Sequence, residues 1–216
     1  VNDFERGYFE DIYGGDYDRR NPQYKTRGML EAVMRFETGG RLLDVGCAYG
    51  AFLRQAARTG TFELYGTDIS AHAVDVAGQR LGEAAKLQVG GLFDSTFEPG
   101  FFDVVTLFDV IEHIEDQDAA FARIRELLRP SGLLALTVPV YDGPLGPVVQ
   151  RLDKDPTHLH KVGRRDWVES CRAHGFDVMH WMGLYRYFVG GRFYAYHQSL
   201  FGRRWAPAIF LVARPR

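Results

Sequence analysis

From residue 41 onward, short apolar runs alternate with amphipathic ones, and few folds accommodate that alternation. Residues 41–45, 62–67, 86–89, 101–108 and 133–138 read as strands. Helical patterns separate them. One covers 51–58 and closes at Gly60. Another opens at the capping residue Ser70 and carries Val74, Ala77 and Leu81 on one face. A third shows Phe121, Ile124, Leu127 and Leu128 before the turn Pro130-Ser131-Gly132. Trp167, Val168 and Cys171 mark a helix stopped by Gly175, and 176–181 and 207–213 read as late strands. Such repetition predicts a parallel, doubly wound α/β sheet. These sheets bind ligands outside the carboxyl ends of their strands. The loops after Val45, Thr67, Val89, Leu107 and Val138 are therefore where chemistry is expected.

The chain of 216 residues suits a single domain. Its hydrophobic content of 46% and charged content of 25% exclude bulk disorder. A net charge of -2 speaks against a dominant nucleic-acid surface. Two cysteines, Cys47 and Cys171, do not make a disulfide framework, and a reducing cytoplasm is the expected setting. No secretory leader is visible, and no apolar run approaches the ~20 residues of a membrane span. Ahead of the alternating region, Phe4, Tyr8, Phe9 and Ile12 predict one helix, Gly14-Gly15 a break, and Met29, Leu30, Val33, Met34 and Phe36 a second helix. We expect residues 1–38 to form a lid, 39–140 the ligand-binding core, and 141–216 the substrate-side loops and late strands.

The run Leu42-Leu43-Asp44-Val45-Gly46-Cys47-Ala48-Tyr49-Gly50 takes a strand into a glycine-spaced turn and then a helix. Glycine lets the backbone approach a ligand, and the helix start offers free N–H groups. The next strand ends in Asp68, an acid placed to accept the hydroxyls of a ribose. Together these features specify an adenosine-containing ligand without separating NAD from S-adenosylmethionine. Two further segments separate them: Phe102-Asp103-Val104-Val105 with Glu112-His113-Ile114, and Leu128-Arg129-Pro130-Ser131-Gly132. In order and spacing the set resembles the class I S-adenosylmethionine-dependent methyltransferases, in particular the small-molecule enzymes that include ubiquinone-biosynthesis and sugar methyltransferases. These motifs cover about residues 40–140, and the late strands extend the likeness to the end.

The resemblance implies a Rossmann-like sheet of seven strands, mostly parallel with an antiparallel last strand, helices on both faces and an N-terminal helical lid. It implies methyl transfer from S-adenosylmethionine to a small-molecule acceptor, possibly a saccharide or lipid-linked metabolite. Gly46, Cys47, Ala48 and Gly50 would present backbone to the methionine portion of the cofactor. Asp68 would hold the ribose, and Ile69 would pack on the adenine. Phe108 and Asp109 would line the junction of cofactor and substrate. Tyr24 or Arg27 would close over the cofactor and pair with its carboxylate. The chain departs from the family at Ala48, where a glycine is common, and at Gly90-Gly91-Leu92-Phe93, where an acid commonly reads the adenine amino group. Backbone of Leu92 and Phe93, with the Phe93 ring, is expected to take over that task.

Methyl transfer relies chiefly on positioning, and a hydroxyl acceptor gains from a base near neutral pKa. His113 is the first candidate, beside Asp109 and Glu112; His160 and His158 follow, on the loop after the fifth strand. His158-x-His160 lacks a third ligand at suitable spacing, so no metal is expected. The aromatic and arginine-rich stretch 184–205 reads as an insertion that either packs under the sheet edge, forms a dimer contact or walls an apolar substrate. A monomer or a homodimer is expected. A nicotinamide oxidoreductase is the competing enzyme class, but no tyrosine is followed by lysine four residues on, and the third dinucleotide glycine is missing. A non-catalytic cofactor-binding module remains the third reading.

Overall fold

The structure is a computed structural model that describes residues 17–153, 155–189, 193–201 and 203–216. The first expected helix and the Gly14-Gly15 break lie outside these residues. The elements in chain order are α1 (Tyr17–Arg20), α2 (Gln23–Met34), β1 (Gly40–Val45), α3 (Ala51–Ala57), β2 (Phe62–Asp68), α4 (Ala71–Leu81), β3 (Ala85–Val89), β4 (Phe102–Phe108), α5 (Gln117–Leu127), β5 (Leu128–Pro139), α6 (Gly146–Leu152), α7 (Arg164–Ala173), β6 (Phe176–Val189), β7 (Phe193–Ser199) and β8 (Ala208–Pro215).

One sheet runs in the order β3-β2-β1-β4-β5-β8-β6-β7. The first five strands are parallel. β8 lies antiparallel between β5 and β6. The expected α/β class and antiparallel last strand hold, but the sheet has eight strands instead of seven. The extra strand is β7, which pairs with Gly183–Val189 of an unexpectedly long β6. The stretch expected as an insertion is thus largely a hairpin. Its aromatic residues have the strand propensity that an insertion does not need.

Alternate residues of each strand serve opposite faces, and the core follows that period of two. Leu43, Val45, Val105, Leu107, Leu134, Leu136 and Leu211 pack with Phe121, Ile124 and Leu127 of α5 and Trp167 and Cys171 of α7. Leu42, Leu64, Val104, Leu133, Phe210 and Val212 pack on the other face, against Met29 and Val33 of α2, Phe52 and Leu53 of α3, and Leu81 of α4. Ser70 and Asp116 start α4 and α5 by accepting the N–H of Ala73 (3.2 Å) and Ala119 (2.9 Å). Pro130-Ser131-Gly132, expected as a turn, lies inside β5, where the pairing jumps from Phe102–Leu128 to Val104–Leu133. That bulge absorbs the residues a regular ladder would reject.

Candidate active site

The strand order reverses about β1, and a cavity of about 250 Å³ opens there at the carboxyl ends of the strands. The glycine loop forms one wall. Gly46, Ala48 and Gly50 take φ of 73°, 48° and 74°. A Cβ on Gly46 would come within 2.4 Å of the Val110 side chain, so only glycine fits. The N–H groups of Gly46 (2.7 Å) and Cys47 (2.9 Å) donate to the Thr67 carbonyl. The two oxygens of Asp68 accept the N–H of Ala48 (2.8 Å) and of Ser70 (3.0 Å). Asp68 therefore locks the loop to the end of β2 while it lines the cavity.

Gly46, Cys47, Ala48, Asp68, Ile69, Leu92, Phe108, Asp109 and His113 all line the cavity. Gly50 lies behind it as the left-handed N-cap of α3, and Phe93 is 51% exposed outside it. From the N-terminal helices the lining residues are Tyr17, Asn21, Lys25, Thr26 and Met29; Tyr24 and Arg27 are not among them. Tyr24 is partly exposed, and Arg27 pairs with Glu31 at 3.6 Å.

The sequence reading missed several polar residues. Asp44 is buried at the cavity wall, and Thr106 donates its hydroxyl to it at 2.6 Å. Burial raises its pKa to about 7, against the pull of the Thr106 bond. Lys25 is also buried; its ammonium donates to Asn21 at 2.9 Å. Burial lowers its pKa to about 8, although Asp109 opposes the shift. Asp109 has φ 58° and accepts from Thr137 at 3.1 Å and from Arg186 of β6. Burial alone would raise its pKa, but the charges of Arg186 and Lys25 outweigh burial and hold it below the ordinary value. Arg186 thus brings the aromatic stretch to a cavity-lining side chain. Leu200, Phe201 and Trp205 are exposed elsewhere.

The three candidate histidines separate. His113 and His158 lie together, ring centroids 4.7 Å apart. His113 Nδ1 meets the Thr157 carbonyl (3.0 Å) and hydroxyl (2.9 Å). Burial, followed by the charge of His158, lowers the His113 pKa. His158 Nδ1 bonds Asp153 at 3.0 Å and Tyr141 at 3.2 Å. His160 instead bonds the Ile114 carbonyl through Nε2 at 2.9 Å and does not line the cavity. Glu112 is fully buried beside this cluster, and burial, then Asp109, raises its pKa well above the usual carboxylate value.

A cavity at the sheet reversal, walled by a glycine loop and an acid on the next strand, is the arrangement of a protein that binds a nucleoside-containing cofactor. Comparison with known families matches residues 17–180 to the methyltransferase domain, and the chain belongs to that family. It is 32% identical over 48% of its length to phosphoethanolamine N-methyltransferase 2 of Caenorhabditis elegans, of which it spans 24%. It is 27% identical over 68% of its length to the ubiquinone biosynthesis O-methyltransferase of Neisseria meningitidis serogroup A, of which it spans 67%. The crystal structure of a SAM-dependent methyltransferase from Thermotoga maritima shares the fold, with TM-score 0.71, 12% identity and 97% of each chain covered. Among the described residues no helix is long and apolar enough to cross a membrane.

Proposed function

We propose that the chain transfers the methyl group of S-adenosylmethionine to a hydroxyl oxygen of a small molecule, a saccharide or lipid-linked metabolite being the class we favour. The observation that carries the reading is one cavity lined by the glycine loop and two acids at one side and by His113 at the other. The residues present fit the cofactor. Gly46 keeps the loop open, Asp68 and Asp44 are acceptors for hydroxyl and ammonium groups, Lys25 is a cation for a carboxylate, and Ile69 and Leu92 are apolar surface for a purine. The cofactor supplies a sulfonium methyl already activated for displacement.

The chain's own part is to align an acceptor oxygen in line with that methyl and to let its proton depart. Phe108 and Asp109 border the place where the two meet. The proton leaves at the His113 end; the lowered pKa keeps that imidazole neutral near pH 7. The N-terminal segment acts as a lid; within its described part, from Tyr17 on, Lys25 and Asn21 are the inward groups. Cys47 and Cys171 are buried free thiols, which suits a cytoplasmic setting. The test is release of S-adenosylhomocysteine across a panel of hydroxyl and amine acceptors. Turnover on a hydroxyl supports the reading; turnover on amines alone overturns the oxygen assignment.

A further inference from the structure

Glu112 takes no part in the methyl transfer proposed for the cavity. It sits in the turn Ile111–His113, fully buried, and neither carboxylate oxygen has a hydrogen-bond partner among the described residues. Buried carboxylates are normally hydrogen-bonded, paired with a cation or bound to a metal. Ligand atoms of Glu112, His113 and His158 lie within 4.8 Å of one another.

Both imidazoles are held through Nδ1. His113 Nδ1 faces the Thr157 carbonyl, and His158 Nδ1 faces the Asp153 carboxylate. The Thr157 hydroxyl donates to Asp155, so it too receives the His113 N–H. Acceptors at both Nδ1 atoms place the ring protons there and leave the lone pairs on Nε2. Fixing the remote ring nitrogen through a carbonyl or carboxylate is how metal-ligating histidines are held. The Asp155 carboxylate lies 4.0 Å from His158 Nε2, a further oxygen at the same place.

We propose that Glu112, His113 and His158 bind a divalent transition-metal ion, with two imidazole nitrogens and one carboxylate oxygen as its protein ligands. This donor set favours zinc, cobalt or manganese over magnesium. Ligand atoms about 2.0–2.1 Å from a tetrahedral zinc lie roughly 3.4 Å apart, a closure that side-chain torsions supply. The spacing His158-x-His160 hid this site, because the fold sends His160 to Ile114 and brings Glu112 and His113 from another loop. His113 also lines the cavity. Resting on the proposed methyl transfer, the ion then replaces the free His113 imidazole as the group that handles the proton: its open position takes the acceptor oxygen, the bound hydroxyl ionises more readily, and its proton passes to solvent water.

The test is titration of the chelator-treated full chain with Co²⁺, read by its visible absorption and by calorimetry. One equivalent with an imidazole-bound spectrum is expected. His158→Ala and the isosteric Glu112→Gln are each expected to weaken Co²⁺ binding at least about tenfold, while His160→Ala leaves it unchanged. S-adenosylhomocysteine affinity reports folding of every variant. Absence of Co²⁺ uptake by protein that binds S-adenosylhomocysteine overturns the site, as does equal uptake by wild type and Glu112→Gln. Neither result touches the methyltransferase reading, because Co²⁺ uptake is measured without an acceptor; that reading fails only on the acceptor panel.

Discussion

Asp44 shows how one residue can serve function against stability. Its folded pKa of about 7 exceeds the unfolded value of 3.8, so the folded state keeps the proton longer. Stability is therefore lost as pH rises from about 4 to about 7, by up to about 4 kcal/mol. Asp44→Asn should stabilise the protein at pH 8 and make no difference at pH 4, read from urea unfolding at the two values. The same variant should bind S-adenosylhomocysteine more weakly at pH 8, because the ionised acid is the proposed partner for the ligand's ammonium group. Asp68→Ala should weaken that ligand by ~1.5–3 kcal/mol in calorimetry, since it removes acceptors for charge-assisted and backbone bonds. Gly46 and Asp68 were legible in the sequence because they sit at strand ends with fixed spacing. Asp44 was quoted in the same motif, yet its burial depends on Thr106 of β4, 62 residues away. Lys25 and Arg186 meet Asp109 only after folding, so no local pattern marks them.

At the scale of elements, α2 shows what periodicity can settle. Its buried stripe is Lys25, Thr26, Met29, Leu30 and Val33, and the cavity receives the start of that stripe. Arg27 lies two residues from Met29, about 200° around the helix, and so faces away. The apolar stripe was read in the sequence; carrying its phase back by one turn would have chosen Lys25 over Tyr24 and Arg27. If α1 and α2 close on the cofactor, backbone amides of residues 17–34 should exchange more slowly with S-adenosylhomocysteine bound. Unchanged exchange would make them scaffold. Lys25→Met should weaken the ligand about tenfold at pH 7, with smaller loss above pH 8, where Lys25 is already neutral in the free protein. The β6–β7 hairpin was not legible as such: alternating aromatics specify extended chain, but not which strand they pair with. α2 rests on this hairpin, with Gly28 against Tyr196.

For the whole molecule, the late strand β8 joins the five parallel strands to the β6–β7 hairpin. It pairs with β5 on one side and β6 on the other, and Ala208, Ile209, Phe210, Leu211, Val212 and Ala213 are all fully buried. The α/β order of residues 41–139 was readable because parallel strands need long crossovers, and the helices after β1, β2 and β4 each leave a stripe in the sequence. The placement of β8 follows from long-range pairing that no local signal encodes. Phe210→Ala should cost ~3–5 kcal/mol in chemical unfolding, with ligand affinity intact in the fraction that stays folded. The cavity lined by the glycine loop and Asp68 is proposed to hold S-adenosylmethionine and its product. Calorimetry of the full chain with S-adenosylhomocysteine and, separately, with NAD tests it most directly. Saturable one-to-one binding of S-adenosylhomocysteine with no heat from NAD is the predicted result, and binding of NAD in its place would contradict it.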